Sequence, residues 1–182
     1  VQLEGLDKAL LRERRLISVV VCDLRGFTSY ARKNSSDQVM NLLEQFYEVV
    51  GDVAEAHGGT VKDHAGDGVL ILVGAPLSMP DHALRAVRLA LDLMAQAQVV
   101  INAVTDQLGL GVGLATGNTT VGTIRGAGRL EYVAVGNAVN LAARLCDRAE
   151  PGEILSDTHT LDLLPEDAGI PALERPPETP PA

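Results

Sequence analysis

The stretch VKDHAGDGVLI, residues 61–71, decides the fold. Two runs of strand-forming residues flank a Gly66-Asp67-Gly68 tip, which is the signature of a β-hairpin. Asp63, His64 and Asp67 crowd that tip, although acidic groups usually avoid the junction between two buried strands. Upstream, LISVVVCDL (16–24) is a continuous β-branched run and reads as a buried central strand. Between them, Ser35 and Gln38 have capping-box spacing, and Val39, Leu42, Leu43, Phe46, Val49, Val50 and Val53 recur at helical period. Gly58-Gly59 ends that helix. Downstream, a second helix starts at Asp81 after Pro80, with Ala83, Leu84, Val87, Leu91 and Met94 inward. LGLGVGLATG and TTVGTIR read as two glycine-softened strands, LEYVAV as a further strand, Asn137 to Arg148 as a third helix and GEILS as a last short strand.

The order strand, helix, strand, strand, helix, strand is the α+β, ferredoxin-like βαββαβ arrangement, here with additional strands and a helix. Its first and third strands are neighbours. Asp23, at the end of the first, is therefore expected beside Asp67, at the start of the third.

The chain has 182 residues, 46% of them hydrophobic, which bounds it to one substantial core with ragged ends. Residues 1–15 are expected to be a connector helix from an upstream domain, with Leu3, Leu6, Leu10 and Leu11 as a stripe; 16–160 form the domain. Residues 161–182 read as a weakly ordered tail, six of the nine prolines falling from Pro165 onward. A net charge of −9 argues against nucleic acid as a general partner. No apolar run reaches the length of a membrane span, there is no signal peptide, and the opening Val reads as a cut from a longer polypeptide. Cys22 and Cys146 are too few for a disulfide framework, which points to a reducing, cytoplasmic setting.

Two carboxylates a few ångströms apart repel, so one stays protonated unless a cation lies between them. Arg25 follows a strand end, and Lys62 alternates to the face opposite Asp63, so neither is an obvious partner. A divalent cation resolves the conflict, and oxygen-only ligands with few protein donors suit Mg²⁺ or Mn²⁺ beside substrate phosphates. Gly26 and Gly66 flank the carboxylates and allow close approach of phosphate oxygens to the backbone. Taken singly, Asp67 reads as a turn residue and Asp23 as a cap; taken together in this topology they read as a metal pair. Asn140 and Arg144, four apart, share one helix face, with Val139, Ala142, Ala143 and Cys146 on the buried one. On spacing alone that face fits a solvated polar surface as well as a donor surface for a phosphoryl group. His57 reads as a helix C-terminal residue, His64 as a strand residue beside the site, and His82 and His159 as surface positions.

VVVCDLRGFTSY, GGTVKDHAGDGVLILVGAP and EYVAVGNAVNLAARL together resemble the class III nucleotidyl cyclase catalytic domain, the adenylate and guanylate cyclase family, over about Leu16 to Ser156. The resemblance implies Asp23 and Asp67 as metal aspartates, with the Leu24 carbonyl as a further ligand of two Mg²⁺ or Mn²⁺ ions per active site. It implies Asn140 as the ribose-orienting residue, Arg144 as the transition-state arginine and Arg129 as a triphosphate contact. Phe27 and Thr28, with Gly26 and Gly66, fall in its phosphate-binding stretches. It also implies a homodimer whose two centres are each built from both subunits, acting on a purine nucleoside triphosphate and driven by an upstream sensor. The base-reading positions fall on Asp63, where ATP users carry Lys and GTP users Glu, and on Val133, which offers no hydrogen bond. No lysine follows Lys62, whereas family members carry one in a C-terminal hairpin. The adenylate cyclase reading therefore stands beside a guanylate cyclase, a non-catalytic cyclase-homology dimerisation module and, last, a diguanylate cyclase of the GGDEF type.

Overall fold

The β-branched run is the centre of strand β1 (Glu13–Arg25). Val20, Cys22 and Leu24 are buried on one face and Ile17 and Val19 on the other, as a strand covered on both sides requires. The computed structural model describes residues 12–126 and 129–170; at Ala65, Gly126 and Arg129 it describes the backbone alone. Most of the expected connector helix, residues 1–11, lies outside the described residues, as does 171–182 of the expected tail. The last part of that connector, Glu13 to Arg15, is strand, laddered onto Val121 to Thr119. The first part of that tail is ordered, with Leu164 and Ile170 packed against the core.

Helices α1 (Phe27–Lys33) and α2 (Ser36–Ala56) follow β1. The capping box is complete: Ser35 Oγ accepts from the Gln38 amide and the Gln38 side chain accepts from the Ser35 amide. Strands β2 (Gly59–Ala65) and β3 (Gly68–Val73) make the hairpin, and α3 (His82–Val104) returns the chain to β4 (Gly109–Gly126). Strand β5 (Arg129–Val135), helix α4 (Asn137–Arg148), strand β6 (Ile154–Ser156) and helix α5 (Thr158–Asp162) complete the chain. The strand order is β2-β3-β1-β4-β5, with β6 beside β4. The neighbours on that path are antiparallel and β6 is parallel to β4. This is the ferredoxin-like βαββαβ core, with α2 and α3 on one face of the sheet and α4 on the other.

The two strands expected at 108–125 are one, because β1 pairs with β4 without a break from Glu13↔Val121 to Arg25↔Gly109. Gly113 and Gly117 of β4 form the seat of α4. A Cβ at Gly113 would lie 2.1 Å from the Ala142 carbonyl oxygen and 2.2 Å from the Cys146 amide nitrogen, so the helix rests directly on strand backbone.

Helix α3 has the length and apolar composition to cross a bilayer, yet its stripe from Ala83 to Ile101 is buried in the core. His82 departs from the expected surface position. It is buried, its Nδ1 lies 2.9 Å from Ser18 Oγ, and burial pushes its pKa down. His159 is exposed, but its Nδ1–H donates to the Thr116 carbonyl at 3.0 Å. Cys22 and Cys146 are both free and buried.

Candidate active site

Asp23 is paired with Gly68, so the end of β1 and the hairpin tip converge as the topology dictates. The Leu24 amide donates to the Asp67 carbonyl at 3.3 Å, while the Leu24 side chain is buried. Burial and then the neighbouring Asp67 hold the Asp23 carboxyl above its ordinary range, Arg25 opposes them, and Asp147 adds a smaller upward push.

Arg25 is Asp23's partner after all: its Nη1 lies 2.7 Å from Asp23 Oδ2. The sequence reading missed this because the guanidinium needs room that another strand provides, above Gly111 of β4. Even so, the Asp23 carboxyl remains raised, because burial first and then Asp67 outweigh the guanidinium. Among the described residues no group of three or more acidic, His or Cys side chains is placed to hold a metal ion by itself. The donor set at this end is two carboxylates with backbone carbonyls nearby, which fits a hard cation that keeps positions for water and phosphate oxygens.

Gly26 has φ +84°, and a Cβ there would lie 2.8 Å from the Gln107 carbonyl, so no other residue fits this turn without strain. It leads into Phe27, partly buried against the core, and Thr28, exposed. Gly66, at the tip, is exposed with φ +66°. Tyr47 of α2 is a site neighbour that the helical pattern did not single out. Its ring meets His64 edge-on at 4.6 Å between centroids, against the hairpin tip.

The strict alternation behind the expectation that Lys62 and Asp63 face opposite ways is interrupted by a β-bulge. Val61 pairs with Ile71 and Asp63 with Leu70, leaving Lys62 as the extra residue. Two consecutive residues then oppose one on β3, and strict alternation stops. Asp63 is exposed. Lys62 Nζ, on a side chain only 15% exposed, lies 3.7 Å from Glu131 Oε1 on β5. Strands β2 and β5 are the two ends of the sheet path, so this ion pair spans its curl. Val133 lines a separate apolar hollow of about 240 Å³ with Thr120, Gly122, Ile124 and Val135, and no described contact joins it to Asp63. Arg129 opens β5, where its backbone pairs with Gly126.

Helix α4 buries Ala138, Ala142, Leu145 and Cys146, so its inward stripe differs from the expected one at Val139 and Ala143, which are only partly covered. Asn140 and Arg144 are exposed on the opposite side, and among the described residues neither makes a hydrogen bond or ion pair. The end of α4 near Asp23 is Cys146 to Ala149; Arg144 lies two residues before Cys146 and Asn140 six, the latter about 9 Å along the axis. One chain thus carries a paired-carboxylate end and, on the exposed side of α4, an amide–guanidinium pair with no partner among the described residues.

Comparison with known proteins places this geometry. The family model of the adenylate and guanylate cyclase catalytic domain matches residues 12–175. The crystal structure of the guanylyl cyclase Cya2 is similar, with a TM-score of 0.79, 36% identity and coverage of 83% of this chain and 79% of that one. So is that of the adenylyl cyclase CyaB from P. aeruginosa, with a TM-score of 0.80, 29% identity and coverage of 85% and 82%. An uncharacterized protein of Mycobacterium tuberculosis strain H37Rv is 32% identical over 160 residues, covering 85% of this chain. The chain spans only 28% of that relative's length. With the family match over most of the chain and the fold in agreement, the chain belongs to the adenylate and guanylate cyclase catalytic domain family.

Proposed function

We propose that the chain is a nucleotidyl cyclase domain that converts a purine nucleoside triphosphate to the 3′,5′-cyclic nucleotide and pyrophosphate in a homodimer. The observation that carries this reading is that Asp23 and Asp67 meet at one end of the sheet, while Asn140 and Arg144 stand exposed on α4 with no partner among the described residues. A two-fold partner brings the α4 face of one subunit to the carboxylate end of the other, twice. The exposed apolar residues Ile124, Leu130 and Val135 of the β4–β5 arm are surface for such an interface.

Asp23 and Asp67, with the Leu24 carbonyl, would hold Mg²⁺ or Mn²⁺. When bound, the metal supplies Lewis-acid neutralisation of the triphosphate and acidifies the ribose 3′-hydroxyl. Asn140 orients the ribose. Arg144 donates to the α-phosphoryl oxygens as charge grows on them. The 3′-oxygen bonds to the α-phosphorus, its proton passes to water, and the bond to the pyrophosphate oxygen breaks. Gly26 and the tip around Gly66 would give phosphate oxygens access to backbone amides, and Arg129 is proposed as a triphosphate contact from the family resemblance alone. Relatives with adenylyl and with guanylyl activity are both similar to this chain, so ATP and GTP are both substrates to test. Since the chain covers a minor part of its curated relatives, an upstream regulatory segment and a cytoplasmic setting belong to the same proposal.

The test is chromatographic detection of cyclic product from ATP or GTP with Mn²⁺. Asp23→Ala and Arg144→Ala should each be inactive. Mixed in equal amounts they should regain about a quarter of full activity, since half the dimers are mixed and each carries one intact centre. Absence of cyclic product from every nucleoside triphosphate would leave a non-catalytic dimerisation module.

A further inference from the structure

Arg25 joins the carboxylate end of the chain to the C-terminal end of α4. Its Nη1 donates to Asp23 Oδ2 at 2.7 Å, its Nε donates to the Ala149 carbonyl at 2.9 Å, and its Nη2 donates to the Cys146 carbonyl. Cys146 and Ala149 are the last turn and the cap of α4. Helix-end carbonyls carry partial negative charge, so two of the three partners anchor the guanidinium to the helix whether or not Asp23 is ionised. The planar fork fixes the direction of the third bond. The guanidinium lies over Gly111, where a Cβ would lie 2.7 Å from Nε and 2.8 Å from Nη2. Charge pairing alone does not demand this arrangement, because a lysine in Asp23's vicinity would neutralise it equally.

We propose that Arg25 is a positioning residue. Anchored on the end of α4, it holds Asp23 Oδ2 so that Oδ1 is left in a fixed direction for the cation. The same link ties Asp23, which serves one centre, to the helix whose Asn140 and Arg144 serve the other. The two centres of a dimer are then mechanically joined through Arg25 in each subunit. This inference rests on the reading of the chain as a cyclase with shared centres.

Mn²⁺ binding to the nucleotide-free chain, followed by electron paramagnetic resonance, tests the first part without turnover. Arg25→Met should weaken binding about tenfold, the scale of one lost charge-assisted hydrogen bond. Gly111→Ala, which keeps the charge and displaces the guanidinium, should do the same, and Arg25→Lys should not restore it. Native affinity in Gly111→Ala, or in Arg25→Lys, overturns the positioning role.

The second part is read in a mixed Asp67→Ala/Arg144→Ala dimer, whose one intact centre takes its carboxylates from the Arg144→Ala subunit and its α4 face from the other, where the Asp23–Arg25 bond is kept. Arg25→Met placed on the Arg144→Ala subunit should raise the Mn²⁺ concentration for half-maximal rate about tenfold. Placed on the Asp67→Ala subunit it should lower kcat and leave the Mn²⁺ dependence alone. Full activity in that second arrangement overturns the link between centres. If the mixed dimer is inactive with native Arg25, the shared-centre reading fails and the link between centres fails with it, and the Mn²⁺ titration still decides the positioning role.

Discussion

The Tyr47 hydroxyl, carried on α2, donates to the carbonyl of Gly66, one residue before Asp67. Burial first, and then Asp67, push the phenol pKa up, so the group stays a donor throughout the working pH range. The hairpin tip therefore has a brace outside its own ladder. Tyr47→Phe keeps the ring against His64 and removes only this bond. The expected outcome is a stability loss of about 1 kcal/mol with Mn²⁺ affinity weakened severalfold. Calorimetric titration of wild type against variant checks it, and equal affinities would show that the brace does not orient Asp67.

Asp23 makes the metal-free domain sensitive to pH in a defined direction. A carboxyl whose pKa is raised by folding contributes stability below its unfolded value of 3.8, and that contribution is lost as pH rises through the folded value. Ionised Asp23 is thus a net cost near neutrality. Asp23→Asn should raise the Tm of the metal-free chain at neutral pH, and the gain should vanish toward about pH 4. Mn²⁺ should raise the wild-type Tm and leave that of the variant unchanged. A variant less stable than wild type at neutral pH would mean that the pair with Arg25 outweighs burial and Asp67.

Much of the framework was legible because it is written in local periodicity. The alternation around Gly66-Asp67-Gly68, the Ser35–Gln38 box and the stripe within Asn137–Arg148 each map onto an element, and the topology alone puts Asp23 beside the tip. What was not legible depends on distant chain. Glycines in β4 look like weak strand until α4 lies on them. Arg25 looks unpartnered until Gly111 makes room, and His82 looks exposed until Ser18 is placed against it. The bulge at Lys62 has no local signal, since nothing in VKDHA marks one residue as supernumerary.

Gly113 gives a stability prediction of the same origin. An alanine methyl there would meet the backbone of α4 at 2.1–2.2 Å, and backbone cannot turn aside as a flexible side chain can. Gly113→Ala should cost roughly 1–3 kcal/mol or more and lower Tm by several degrees. Gly51, inside α2 with nothing within 4 Å of its added Cβ, is the control. Gly51→Ala should stabilise by roughly 0.5–1 kcal/mol. Thermal unfolding of both variants decides the matter, and a neutral Gly113→Ala would show that α4 is free to lift from β4.

The bulge also changes what the purine base would meet. With Lys62 and Asp63 sharing one partner residue on β3, and Glu131 at 3.7 Å from the ammonium, this part of the surface offers a donor and acceptors together. Adenine presents an acceptor at N1 and a donor at N6; guanine presents an acceptor at O6 and donors at N1 and N2. Lys62 can serve adenine N1 or guanine O6, and the carboxylates can serve the donors of either base. Discrimination should accordingly be poor, with kcat/KM for ATP and GTP within about two orders of magnitude. Lys62→Ala removes the donor that either base would use, leaving adenine N1 or guanine O6 unpaired. It should lower kcat/KM about tenfold for both nucleotides. Asp63→Lys, which removes an acceptor for the guanine donors, should shift the ratio toward ATP, read by competition between the two nucleotides in one reaction. Unchanged kcat/KM for both nucleotides in Lys62→Ala would make the Lys62–Glu131 pair a clasp between sheet edges with no part in reading the base.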